Sequence, residues 1–252
     1  MKTIAILGCG NIGTIVAQRL ADAEVVAVYD QLPERRTTLA ALCGAASCAS
    51  FTELLSHKFD LLIEAASPEA VRAHAAEAIQ ARRTLVVLST GALTDPDFRH
   101  QLEQQALAHG VNLHIPSGAV MGLDNLKIGR ISRLSRFLLR TTKPPAALGV
   151  EVKEPTCLFQ GKASDCIVQY PRNINVAISL SLAAGRECEV EIWADPAAGA
   201  NRHQIFAEGE FGRVEITVEN QPSPDNPRTS YLAALSVLAL IDNFDRPIKV
   251  GC

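Results

Sequence analysis

No cationic run, no long hydrophobic run and no paired-cysteine spacing occurs in this 252-residue sequence, and each absence removes a class of function. With 24 Lys+Arg against 27 Asp+Glu, the formal net charge is only −3, so no strong field invites nucleic acid or an anionic membrane surface. Small, nearly neutral partners are expected instead. The apolar runs are too short to span a bilayer, and no cationic leader precedes the first strand, so a cytoplasmic protein without a signal peptide is expected. Seven cysteines (Cys9, Cys43, Cys48, Cys157, Cys166, Cys188 and Cys252) form an odd, scattered set with no C-x-x-C pair. That argues against a disulfide framework or a structural zinc site. No carboxylate pair suggests another ion, and no metal is expected. Internal repeats and low-complexity segments are missing too. What remains is ordinary globular composition, 48% hydrophobic and 20% charged, enough for one large core or two modest ones.

The N-terminal stretch is more specific. Ile4-Ala-Ile-Leu7 is short, apolar and β-branched, which suits a buried parallel strand. Gly8-Cys9-Gly10-Asn11-Ile12-Gly13 follows at once, and Ile12, Val16 and Leu20 then recur at helical spacing. In a strand–turn–helix, the first glycine permits the tight turn, the second lets backbone approach a pyrophosphate, and the third allows close helix–strand packing. The phosphates would lie against free N–H groups at the positive end of the helix. Gly8, Gly10, Asn11, Ile12 and Gly13 are therefore the expected cofactor loop. A second strand, Glu24 to Tyr29, ends at Asp30, whose carboxylate can accept hydrogen bonds from both ribose hydroxyls and would repel a 2′-phosphate. Asp30 favours NAD. Arg35 and Arg36 follow closely and leave NADP open.

Alternating strand and helix signals continue through Asp60–Glu64, Thr84–Leu88 and Val111–Ile115, giving five strands in a doubly wound parallel sheet. A Rossmann domain is expected over residues 1–116. After Pro116 the pattern changes to strand-rich stretches near 130–141, 186–194 and 203–219 with few crossover helices. The fold class is thus α/β, with a smaller α+β domain over 117–227 carrying an open, largely antiparallel sheet for substrate, catalysis and oligomerisation. A C-terminal helix over 228–252 is expected to pack back on the first domain. An open sheet leaves an edge to be covered, so a homodimer is expected.

Ser117-Gly118-Ala119-Val120-Met121-Gly122-Leu123-Asp124, Thr141-Thr142-Lys143-Pro144-Pro145, Tyr170-Pro171-Arg172-Asn173-Ile174-Asn175-Val176-Ala177, Asp195-Pro196 through Asn201-Arg202-His203, and Asn226-Pro227-Arg228-Thr229-Ser230-Tyr231 together resemble the L-aspartate dehydrogenase family. The resemblance spans essentially the whole chain. It implies reversible NAD(P)-dependent oxidative deamination of L-aspartate through iminoaspartate to oxaloacetate and ammonium. It also implies a role in NAD biosynthesis, since quinolinate synthase uses iminoaspartate. Matched onto this sequence, it implies that His203 is catalytic and that Ala119 and Asn173 contact the nicotinamide side of the cofactor.

The residues themselves bear on these roles unequally. His57, His74, His100 and His109 fall on helical stretches of the first domain among polar neighbours and read as solvated, while His114 reads as buried in a strand. Only His203 lies in the second domain, after the loop Ala197–Asn201, and a neutral imidazole there can take a proton from water attacking an imine. Asn173 can serve a carboxamide or hydroxyl of the cofactor, the reading that the resemblance favours, or can cap a helix. A dicarboxylate calls for cations, and Lys143, Arg172 and Arg228 are candidates. One departure from the family pattern is Gln160-Gly161 in place of Glu-Gly. Cys157 and Cys166 read as buried small hydrophobes. Homoserine dehydrogenase or dihydrodipicolinate reductase relatives share the two-domain plan, and a non-catalytic NAD-binding sensor would use domain closure as its signal, binding NAD(H) without oxidising an amino acid.

Overall fold

The computed structural model describes residues 2–170, 174–224 and 226–250. The chain separates into two compact units. One comprises Met1–Pro116 with Ala234–Arg246; the other comprises Ser117–Ala233 with the chain end from Pro247.

The first unit is built on a six-stranded sheet. Strands β1 (Lys2–Leu7), β2 (Ala23–Tyr29), β3 (Ala46–Ser47), β4 (Leu61–Glu64), β5 (Thr84–Val87) and β6 (Leu113–His114) lie in the order β3-β2-β1-β4-β5-β6. Every neighbouring pair is parallel. Ile4, Ile6, Leu62, Ile63 and Val86 are buried to within 1%, as strands covered on both faces must be. The two-residue β3 is a sixth strand, too short to leave a periodic signal.

Helices α1 (Asn11–Arg19), α2 (Pro33–Cys43), α3 (Phe51–Ser56), α4 (Pro68–Gln80) and α5 (Pro96–His109) connect these strands. Their starts are written locally. Three have proline in the first turn, and the side chains of Ser50, Ser67 and Asp95 accept hydrogen bonds from the first-turn amides of α3, α4 and α5,. Strand order reverses between β1 and β4. In such sheets the ligand crevice opens there, outside the carboxyl ends of the strands.

The second unit contains α6 (Leu123–Leu126), β7 (Leu134–Lys143), α7 (Pro145–Leu148), β8 (Thr156–Lys162), α8 (Ala163–Gln169), α9 (Asn175–Ala184), β9 (Glu189–Ala194), β10 (Arg202–Gly209) and β11 (Gly212–Glu219). Its five-stranded sheet has the order β11-β10-β7-β9-β8. The β7–β9 pair is parallel and the other three pairs are antiparallel. Leu139, Val190, Ile192, Ile205 and Ala207 on the three inner strands form its core with Ala177, Leu180 and Ala184 of α9. Edge strand β8 went unread in the sequence because it lacks a clean alternation of buried and exposed positions.

Short strands β12 (Pro222–Ser223) and β13 (Asn226–Ser230) pair before the last helix, α10 (Tyr231–Asp245). That helix is shorter than the expected 228–252. Extended pairing holds residues 226–230 out of it, and Pro247 disfavours helical backbone at the residue before it. From Ala234 onward it belongs with the first unit. There Phe244 meets His114 edge-on at 4.7 Å, and the Lys2 ammonium pairs with Asp245.

Candidate functional site

The glycine loop joins β1 to α1. Gly8 adopts φ +103°, and its N–H donates to the Tyr29 carbonyl at 2.8 Å. A Cβ there would stand 2.7 Å from the backbone of Ala65 and Ala66, so the β1 and β4 chain ends approach in a way only glycine allows. Gly10 precedes α1, with no side-chain cap, no acidic residue in the first turn, and open space around its Cβ position. The first-turn amides of Asn11, Ile12 and Gly13 therefore point to a region that accepts an anion. These features fit a dinucleotide pyrophosphate.

Asp30, 8% exposed, follows β2. Its Oδ2 accepts the Cys9 N–H and its Oδ1 the Leu32 N–H, both at 2.9 Å. A carboxylate has about four acceptor positions, so the two bonds that pin the loop leave capacity for ribose hydroxyls. Arg36 donates from Nη1 to the Asp30 carbonyl at 3.1 Å, while Arg35 is exposed. The Cys9 thiol is held near pKa 12 by burial and by the Asp30 carboxylate, so this loop cysteine is no nucleophile.

A residue unread in the sequence, Glu64, ends β4 at 1% exposure. Burial pushes its carboxyl above the ordinary glutamate range. It accepts hydrogen bonds from Ala66 N–H (2.8 Å), Ser89 Oγ (2.8 Å), Ser89 N–H (2.9 Å) and Leu88 N–H (3.2 Å). Glu64 therefore fastens the ends of β4 and β5 beneath the crevice. An acid closing the otherwise apolar run Leu61-Leu62-Ile63 was the available signal.

In the second unit, β7 and β10 place Thr141 directly opposite His203. His203 is 5% exposed and its Nδ1 lies 2.9 Å from Thr141 Oγ1. Lys143 lies two residues along β7, on the same face. Burial, and then the Lys143 cation, push the His203 imidazole down to about 3. Burial likewise holds Lys143 below the ordinary lysine range. The result is a neutral imidazole beside a partly desolvated cation, an arrangement that favours a carboxylate ligand.

Ala119 sits in the turn after Ser117, and its carbonyl accepts from Asn220 Nδ2 at 3.0 Å. Asn220, itself 3% exposed, also receives the Ser230 hydroxyl at Oδ1 and donates its N–H to the Asn201 carbonyl at 2.9 Å. It thereby ties the Ala119 turn to the residue two before His203. Nothing in the sequence set this asparagine apart from a solvated loop residue. Arg172 and Asn173 lie outside the described residues, as does the side chain of Arg228.

Other expectations need correcting. His74 is not solvated: it stacks on Phe51 at 4.2 Å, and burial holds it below the ordinary histidine range. Its place on the Val71–Ala75–Ala78 stripe of α4 was the missed signal. Cys166 is buried, but Cys157 is exposed. Gln160 is exposed on β8. Among the described residues, no group of three or more His, Cys, Asp or Glu side chains is placed to hold a metal ion, and no helix is long and apolar enough to cross a membrane.

Comparison with known proteins gives these sites a context. Residues 8–116 match the family described as homoserine dehydrogenase, NAD binding domain, and residues 124–244 match aspartate dehydrogenase, C-terminal. The L-aspartate dehydrogenase of Methanospirillum hungatei is 51% identical over 251 residues, covering 100% of both chains. That of Methanococcus maripaludis is 39% identical over 266 residues, again covering both completely. The crystal structure of aspartate dehydrogenase from Thermotoga maritima superposes with a TM-score of 0.85 at 28% identity, covering 99% of each chain. An amine dehydrogenase from Mycobacterium smegmatis, at 14% identity and TM-score 0.61, shares the fold. With this full-length identity, and with a nucleotide-binding unit followed by the matching C-terminal unit, the chain belongs to the aspartate dehydrogenase family.

Proposed function

We propose that this protein oxidises L-aspartate to iminoaspartate, which water converts to oxaloacetate and ammonium, that NAD accepts the electrons, and that the reaction runs in both directions. The observation that carries this reading is the buried His203 imidazole, hydrogen-bonded to Thr141 beside the Lys143 cation. A bound nicotinamide ring would accept the hydride from Cα of the amino acid. The chain supplies the rest. Gly8, Gly10, Asn11, Ile12, Gly13 and Asp30 would hold the dinucleotide, with Ala119 and Asn173 on its nicotinamide side. Lys143 attracts a substrate carboxylate, and His203 takes the proton of the water that attacks the imine. In the free protein, burial first and then Lys143 disfavour the imidazolium. A bound dicarboxylate offsets that cation, so proton uptake by His203 becomes easier once substrate is in place.

Iminoaspartate is also what quinolinate synthase consumes, which gives the enzyme a place in NAD biosynthesis in the cytoplasm. We further propose a homodimer, with the open edge of the second sheet covered by its partner. The test is reduction of NAD followed by absorbance with L-aspartate, D-aspartate, L-glutamate and L-homoserine, and its reversal with oxaloacetate and ammonium. Reduction with L-aspartate alone is expected. Reduction with L-homoserine instead would move the assignment to the homoserine dehydrogenase type, and silence with all four despite NADH binding would favour a sensor.

Cofactor choice has its own test. Asp30 presents a negative charge where a 2′-phosphate would lie, and Arg36 is engaged by the Asp30 carbonyl. Asp30→Ala should weaken NADH binding by about 10- to 100-fold, the size of one hydrogen bond to a charged group, and weaken NADPH binding less. Fluorescence titration with both nucleotides reads the ratio. An unchanged ratio would remove Asp30 from the choice.

A further inference from the structure

We propose that Thr141 is the positioning residue for His203, accepting the Nδ1 proton so that Nε2 is the nitrogen that exchanges a proton with the reacting water. This rests on the reading of His203 as the acid/base.

The geometry leaves little freedom. Antiparallel register pairs the two residues across β7 and β10, so both side chains leave the same face of the sheet,. Thr141 is 0% exposed and His203 5%, so bulk water does not compete for the 2.9 Å contact. A β-branched side chain in a strand is stiff at χ1, which aims the hydroxyl. On the other side, β11 presents Val218 opposite His203, an apolar neighbour that cannot choose a tautomer. The charged group whose field reaches the ring is Lys143. It repels a proton but accepts none.

A threonine hydroxyl has two acceptor positions and one rotatable donor. As an acceptor it suits the neutral ring protonated at Nδ1, with its lone pair on Nε2. It suits the imidazolium as well, since Nδ1–H is present in both, and it holds that charged donor more strongly than the neutral one. The proton therefore enters and leaves at Nε2 while the Nδ1 contact stays unchanged, and the ring need not turn during either direction of the reaction.

Thr141→Val keeps the shape and removes the acceptor, whereas Thr141→Ser restores it. For Thr141→Val, kcat should fall about 10- to 100-fold, as expected for one hydrogen bond to a charged group, with NADH affinity within about twofold of normal. The acid limb of its kcat–pH profile should move to lower pH, because the imidazolium has lost its acceptor. Thr141→Ser should recover most of the turnover and return the limb. Valine with normal kcat and normal limb, or serine no better than valine, would overturn the proposal. Nitrogen-15 spectra of the His203 ring give a readout independent of turnover. The Nδ1–H tautomer is expected, and an Nε2–H tautomer in the unsubstituted protein sinks the inference even if His203 is essential. Loss of catalytic importance at His203 itself, with the Nδ1–H tautomer intact, sinks the acid/base reading instead.

Discussion

His203→Ala is expected to lose roughly 10³-fold in kcat with L-aspartate, within the range that a positioned acid/base contributes, while still binding NADH. The separation follows from where the groups lie. His203 belongs to β10 of the second unit, whereas the glycine loop and Asp30 belong to the first. Fluorescence titration of NADH and steady-state turnover read the two properties separately, and near-normal turnover with NADH still bound would end the assignment. The substitution has a second signature in pH. The His203 pKa lies near 3 in the folded chain against an ordinary 6.5, so between those values the unfolded chain binds more protons than the folded one. Stability therefore rises with pH across that window and declines as pH falls through it. The alanine variant lacks this contribution, so its melting temperature should depend less on pH between about 6.5 and 4. The cavity left by the ring lowers stability at every pH, but it does not change the slope.

How much of this arrangement was legible in the sequence depends on the range over which each feature is written. The run Ile4–Leu7, the glycines and Asp30 are local, and a strand buried on both faces followed at once by a glycine turn has few alternative folds. Proline and Ser/Asp caps fixed the starts of α3, α4 and α5 in the same local way. Features that depend on register were invisible. That Thr141 faces His203 follows from the pairing of strands 62 residues apart, and no spacing within Thr141-Thr142-Lys143 announces it. Glu64 and Asn220 were missed for a related reason. Each is a polar residue with most of its partners distant in the chain, so only the folded chain shows that its hydrogen-bonding capacity is spent on shaping a site. Asp30 lies between these cases: its position was readable, but its bond to Cys9, which braces the glycine loop from beneath, was not.

Gly13→Ala should damage both folding and cofactor binding, and Gly10→Ala binding alone. A Cβ at Gly13 would stand 2.2 Å from the Gly8 carbonyl oxygen and 3.3 Å from Ile6 Cγ2. The first neighbour is backbone and cannot swing aside, so α1 must move off the end of β1. Overpacking of this kind costs about 1–3 kcal/mol, which corresponds to a melting temperature lower by roughly 2–12 °C for a chain of this size. The displaced first-turn amides would no longer converge on a phosphate, so NADH affinity should fall by well over about tenfold. Gly10 differs because, among the described residues, no atom beyond its chain neighbours lies within 4 Å of its Cβ position. A methyl group there meets none of the described residues beyond its chain neighbours, and its cost is confined to exchanging one N-cap residue for a poorer one, at most about 1 kcal/mol. The space it fills is the space through which a pyrophosphate approaches the backbone. Gly10→Ala should therefore melt close to the unsubstituted protein yet bind NADH at least about tenfold more weakly. If both variants melt normally, the close packing of α1 on β1 is wrong. If Gly10→Ala binds NADH normally, the dinucleotide does not pass over this loop.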